Sequence, residues 1–241
     1  MRLFRYSGNK TRYTHLYRSP PPGTTRIVEP YLGAGAYYLH HDLPGLGIDL
    51  NERIIALWGY LQQTTPQRLQ ELQTLVDSLP PKTDIRTIDN ITHGEMLYLK
   101  VNICSVVVGQ FSSWRMYNHK FKLPIQQTIA LLPKLRHIQL VHGPASGYQP
   151  QPGDTVFLDP PYLNTSSHYK TGSHNLDKEY QPQDTSDLIR RIPNPIIFTY
   201  GSRAPQDFPD YRWELVAERQ VPNMRRGGTV KRQEYVSYHN F

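Results

Sequence analysis

The stretch Thr155-Val156-Phe157-Leu158-Asp159-Pro160-Pro161-Tyr162 restricts the fold more than any other part of the chain. A short apolar run rich in β-branched and aromatic residues reads as a buried strand, and two prolines cannot extend a ladder. Asp159 therefore stands at a strand's carboxyl end, the edge at which open α/β sheets hold ligands. An ionised Asp159 offers only acceptors, and Pro160 adds a carbonyl with no competing N–H. Two adjacent acceptors suit an amine with two hydrogens. Tyr162 supplies a flat face on which a planar ring can stack, for about 1–3 kcal/mol. Asp159, Pro160, Pro161 and Tyr162 together describe a pocket for an exocyclic amine on a planar heterocycle, such as the N6 amine of adenine. The other reading is a strand that ends in a Pro-Pro turn with a solvated Asp, and a partner motif is needed to decide.

Thr25 to Ala36 supplies that partner. Ile27 and Val28 end a first strand, Gly33 and Gly35 make a turn where backbone can approach a ligand, and Ala36 to His41 starts a helix. A second short strand, Leu46-Gly47-Ile48, ends in Asp49, placed to accept from the hydroxyls of a ribose. The dinucleotide fingerprint needs a third small residue three places after Gly35; Tyr38 stands there, which disfavours a pyrophosphate. An adenosine-containing cofactor without a phosphate bridge remains, and S-adenosylmethionine fits. A turn at Arg5-Tyr6-Ser7-Gly8-Asn9-Lys10 is either a second point of ligand approach or an ordinary N-terminal turn.

At 241 residues the chain fits one sizeable domain. Asn51 caps a helix running to Gln63, and Thr65-Pro66 opens another with Leu69, Leu72, Leu75 and Val76 on one face. Residues 80–90 read as a loop, Met96 to Val108 as a packed helix and Pro124 to Leu132 as a short helix. Asp184 to Arg191 is a further helix, and strands are expected at 139–142, 195–201 and 212–221. The single cysteine, Cys104, makes no disulfide or zinc cluster and belongs in the core; no metal is expected. No apolar run approaches the roughly 18 residues of a membrane span and no signal segment opens the chain, so a soluble protein of a bacterial or phage-infected cytoplasm is expected.

The net charge of +7 favours a polyanionic partner. From Gly109 to Lys122, aromatic side chains alternate with cations and with amides that can read base edges; Trp114, Arg115, Asn118, His119, Lys120 and Lys122 are the candidates there. A solvated basic loop is the alternative. The Gly227-Gly228 hairpin carries Arg225, Arg226 and Lys231, which suit phosphates, or equally a solvated turn. Arg12 is a further candidate contact. The polar stretch from Leu163 to Tyr180 has no periodicity and reads as a lid or mobile loop.

The pairing of Glu29-Pro30-Tyr31-Leu32-Gly33-Ala34-Gly35 with Asp159-Pro160-Pro161-Tyr162, in that order, resembles the Dam-like DNA adenine-N6 methyltransferases. Arg5 to Lys10 occupies the place of that family's Lys-Trp-Ala-Gly-Gly-Lys segment, with Tyr6 for its tryptophan and Asn9 for a glycine. The resemblance implies an α/β fold: a Rossmann-like S-adenosylmethionine-dependent methyltransferase sheet with helices on both faces and a small, mostly helical target-recognition insertion. Residues 1–60 and 136–241 would form the catalytic domain and 61–135 the insertion. It implies cofactor contacts from Tyr6, Lys10, Glu29, Tyr31, Gly33, Ala34, Gly35, Ala36, Asp49, Leu50 and Asp159. Gly33 and Gly35 would lie under the methionine moiety, Asp49 on the ribose, and Asp159 between cofactor and amine. The implied partner is double-stranded DNA, met by a monomer. A cytosine-N4 or RNA methyltransferase and an inactive DNA-binding module are the alternatives.

Overall fold

Short runs of Val, Ile, Leu and Phe build the central sheet of the computed structural model, which describes residues 3–6, 8–104, 114–116, 122–162, 170–171, 174–175, 180–222 and 229–241. The strands are β1 (Arg26–Glu29), β2 (Gly45–Asp49), β3 (Ile138–His142), β4 (Asp154–Leu158), β5 (Ile196–Gly201), β6 (Glu214–Pro222) and β7 (Thr229–His239). Their order is β3-β2-β1-β4-β5-β7-β6. β3, β2, β1, β4 and β5 run parallel, while β7 pairs antiparallel with both β5 and β6. This is a mostly parallel α/β sheet of Rossmann-like order. From β1 the chain winds outward through β2 and β3, then crosses back to β4, so β1 and β4 flank the switch point where such sheets open a crevice.

Alternation along the central strands buries both faces, as parallel strands require. Ile27, Phe157, Ile197 and Val236 pack on one side; Val28, Val156, Leu158, Ile196 and Phe198 pack on the other. The first face is covered by α1 (Glu52–Gln63), on which α3 (His93–Leu99) and α4 (Ile125–Leu135) pack, with α2 (Pro66–Ser78) against α4; the second is covered by α5 (Pro182–Arg191) and the short α6 (Ala204–Asp207). Three of the starts have a local cause. The Asn51 side chain accepts from Arg53 N–H, Thr65 caps α2 ahead of Pro66, and Thr92 and Glu95 form a reciprocal capping box on α3. Leu69, Leu72, Leu97, Leu131 and Leu135 join Trp58 and Ile27 in one apolar cluster, so the helices of 61–135 share the core of the sheet. At the foot of the switch point, the Arg26 guanidinium grips the buried Asp154 carboxylate by two hydrogen bonds of 2.7 and 2.8 Å across paired positions of β1 and β4.

Three expectations need correction. Ala36 to His41 does not start an α-helix: a single 3₁₀ turn, Tyr38–His40, fills the place, because β2 begins at Gly45 and leaves too little chain for a helix and its return. The helix expected from Met96 starts earlier, at His93, and gives way at Lys100 to a π-helical turn reaching Cys104; residues 105–108 of that expectation lie outside the described residues. Within the expected loop after Tyr162, Lys170–Thr171 and His174–Asn175 pair as a two-stranded antiparallel ribbon. Cys104 is buried. Among the described residues no helix is long and apolar enough to cross a membrane.

Candidate active site

The carboxyl ends of β1, β2 and β4 each carry an acid: Glu29 ends β1, Asp49 ends β2 and Asp159 follows β4. They line one cavity of about 510 Å³, within the range of small-molecule sites. All eleven residues expected to hold a cofactor line this cavity, and so does Pro161. Its far wall was not foreseen: it comes from Pro144 to Ser146 and from Tyr180, Asp184, Asp187, Leu188 and Arg191. Only α5's register, which turns Asp184, Asp187, Leu188 and Arg191 to one side, hinted at it.

The glycine turn is held from several directions. Gly33 N–H donates to Asp49 Oδ2 at 2.8 Å, Asn51 N–H donates to Asp49 Oδ1 at 2.8 Å, and the Trp58 indole N–H donates to the Gly33 carbonyl at 2.9 Å. Each Asp49 oxygen thus accepts one backbone hydrogen bond and keeps a lone pair for a ligand hydroxyl. Gly33 and Gly35 have φ of 45° and 62°. A methyl group on Gly33 would meet the Tyr6 ring at 2.9 Å, and on Gly35 the Trp58 ring at 2.5 Å. The close approach that demands glycine here is made by two aromatic rings of the protein itself. Trp58 is both core and clamp.

Asp159 is held by one oxygen. Its Oδ1 accepts from Lys10 Nζ at 2.6 Å, from the Thr199 hydroxyl at 3.3 Å and from the Tyr162 hydroxyl at 3.4 Å. Among the described residues nothing donates to Oδ2, which leaves that oxygen for a ligand in the cavity. Lys10 is almost fully buried; it also donates to the Gly8 carbonyl at 3.0 Å and lies 3.5 Å from Glu234 Oε1. Thr199 and Glu234 were both missed from sequence. The signal for Glu234 was an acid in step with the inward-facing Val236 of β7. Pro160 is buried, and the Tyr162 ring lies behind Asp159, 4.6 Å from the Tyr200 ring and 4.9 Å from Lys10 Nζ.

Charge is costly in this setting. Burial raises the carboxyls of Asp159, Glu29, Asp49 and Glu234, to about 8 for Glu29, about 6 for Asp49 and about 7 for Glu234. Backbone donors offset part of the effect at Glu29 and Asp49, and Lys10 does so at Asp159 and Glu234. Burial lowers the Lys10 ammonium, but Asp159 and Glu234 outweigh it and the group is raised. The site thus gathers more acids than bases and favours a cationic ligand. A consequence for stability follows at Glu29. Its folded value lies above the unfolded one, so its contribution is whole below about 4.5 and is lost as pH rises through about 8. Glu29→Gln should therefore match the parent's melting temperature at pH 5 and exceed it by roughly 5 °C at pH 8.5, read by calorimetry; equal differences at both pH values would contradict this.

Arg12, Arg115 and Lys122 are exposed. The half-buried Trp114 ring carries Lys100 Nζ 3.1 Å from its centroid, and Lys231 Nζ lies 2.6 Å from Glu218. Asn118, His119, Lys120, Arg225 and Arg226 lie outside the described residues. Among the described residues no group of three or more His, Cys, Asp or Glu side chains is arranged to hold a metal ion. In comparisons with known proteins, no family model matches this chain and no curated protein matches it significantly.

Proposed function

We propose that this protein transfers a methyl group from S-adenosylmethionine to the N6 amine of an adenine flipped out of duplex DNA. The observation that carries the reading is the placement of Asp159 Oδ2, which has no donor among the described residues, on the same cavity as the Gly33–Gly35 turn and Asp49. The residues present fit the donor: Asp49 keeps lone pairs for two ribose hydroxyls, and the acid-rich lining suits a ligand with a sulfonium and an ammonium group. When bound, that donor supplies an electrophilic methyl on sulfur.

The chain's own residues do the rest. Asp159 Oδ2 and the Pro160 carbonyl accept the two amine hydrogens, which favours a pyramidal nitrogen with its lone pair directed at the methyl. Lys10, Thr199 and Tyr162 fix the carboxylate through Oδ1, so the amine meets a preset acceptor. Flipping costs a few kcal/mol of stacking and pairing, offset by contacts in the pocket. Arg12, Arg115, Lys122 and Lys231 are exposed, and this reading assigns them to phosphates, Lys231 by exchange of its Glu218 partner.

The purified protein, given donor labelled in its methyl group, should label duplex DNA, and digestion to nucleosides should place the label on N6-methyladenine. Label on N4-methylcytosine, RNA or protein instead would replace this reading with a rival methyl transfer. No label anywhere, together with no heat of donor binding, would leave a binding module.

A further inference from the structure

One carboxylate behind Asp159 has no part in binding the donor or in orienting the amine. Glu234 pairs with Gly201 across β7 and β5, and this register brings its side chain to the carboxyl end of β4. Its side chain is 11% exposed, so a proton held there has an outlet to water. The Tyr162 hydroxyl stands between the two acids, 3.4 Å from Asp159 Oδ1 and 3.3 Å from Glu234 Oε1, and Lys10 Nζ lies 2.6 and 3.5 Å from the same two oxygens. We propose that Glu234 is the resting place of the proton that the target amine loses, with Asp159 and Glu234 acting as one coupled pair around Lys10. The inference rests on the methyl-transfer reading and makes Glu234 a positioning residue, since it acts through Asp159.

The balance closes without a further reactant. The amine nitrogen forms its bond to the methyl carbon, the sulfur–carbon bond breaks and its electron pair stays on sulfur. The nitrogen, now cationic, gives one proton to Asp159 Oδ2. Rotation of the neutral carboxyl brings that proton to Tyr162, whose hydroxyl takes it up while passing its own proton to Glu234. Asp159 is again ionised and ready to accept from the next amine; Lys10 remains an ammonium throughout; Glu234 discharges to solvent.

Two carboxylates sharing one cation titrate as a pair, and protonation goes to the member that bears charge less easily. The groups facing Glu234 are Lys10 and Tyr17 from the N-terminal segment and Asp159 and Tyr162 from the loop after β4. At Glu234's own position, β5 supplies Gly201 and β6 supplies Ala217, neither of which is charged. Burial pushes the Glu234 carboxyl up to about 7, Lys10 opposes and the neighbouring Asp159 adds to it, so its affinity for a proton is matched to neutral pH.

The test compares kcat against pH for the parent, Glu234→Gln and Glu234→Asp. The parent should lose rate as pH falls through about 7. In Glu234→Gln, kcat at neutral pH should fall about tenfold, less than full acid–base catalysis contributes because Asp159 can still discharge to water. Its acid limb should move down by about one pH unit or more, with KM for the donor nearly unchanged; Glu234→Asp should keep the limb near neutrality. A Glu234→Gln profile that superposes on the parent's, or that drops uniformly without movement of the limb, would reduce Glu234 to a counterion of Lys10. A second readout needs no turnover. In parent protein labelled with carbon-13 at glutamate carboxyls and saturated with S-adenosylhomocysteine, the resonance lost in Glu234→Asp should titrate near 7. Titration in the ordinary carboxylate range, with methyl transfer intact, overturns this inference alone, whereas a parent that labels no nucleic acid overturns the methyl-transfer reading beneath it.

Discussion

Asn in place of Asp159 is expected to slow methyl transfer roughly a thousandfold, about 4 kcal/mol of barrier, while the donor stays bound within about tenfold of its usual affinity. Asparagine keeps the shape but halves the acceptors, and an NH₂ at either position faces another donor. Turned toward the cavity it meets the amine; turned inward it meets Lys10, Thr199 and Tyr162, the three groups that donate to Oδ1. Loss of one partner of a buried ion pair commonly costs about 3–5 kcal/mol. Here Lys10 retains Glu234 at 3.5 Å and the Gly8 carbonyl at 3.0 Å, so the loss in stability should be nearer 1–3 kcal/mol. Lys10→Met added to Asp159→Asn should then recover melting temperature but not activity. Single-turnover transfer, calorimetric donor titration and thermal melting separate the three effects, and a single variant with activity within tenfold of the parent would remove Asp159 from the reaction.

What could be read from sequence follows from the range over which each cause acts. The strand at Val156–Leu158 and the acid just after it are local: apolar residues, then two prolines, fix the strand and where it stops. The same holds for Gly33, Gly35 and Asp49, which follow or end two successive, neighbouring parallel strands and so lie at one edge. The far wall of the cavity depends on where β3 to β4 and α5 come to lie, and no local pattern carries that. Glu234 is the clearest case. It is distant in the chain from both Lys10 and Asp159, and only the antiparallel pairing of β7 with β5 brings it beside Lys10, opposite Asp159. The failed helix after Ala36 has the opposite origin: the residues favour a helix, but the short path to Gly45 and the bond from Tyr38 N–H to Glu29 hold a single turn.

A methyl group at Gly35 is expected to cost about 2–5 kcal/mol of stability and most of the donor affinity. Two terms contribute. Alanine at φ 62° enters the left-handed region, a penalty of about 1–2 kcal/mol. Its Cβ would also stand 2.5 and 2.6 Å from two atoms of the Trp58 ring. Trp58 has no room to yield: it is fully buried, packs edge-on against Phe4 at 6.4 Å and is tied to the Gly33 carbonyl. Overpacking of this kind costs about 1–3 kcal/mol. Moving the ring breaks the bond that fixes Gly33, and through Gly33 N–H the disturbance reaches Asp49, so binding falls with stability. Gly23→Ala isolates the first term, because φ there is 88° and the added methyl meets nothing within 4 Å. For a chain of this length the melting temperature should drop by roughly 5–15 °C in Gly35→Ala and by only about 2–5 °C in Gly23→Ala. Trp58→Phe removes the clashing ring atoms, so the Gly35→Ala and Trp58→Phe effects should sum to less than additively in a double-mutant cycle. Equal losses at Gly35 and Gly23 would mean that the ring gives way freely, and the turn would then owe its shape to Asp49 alone.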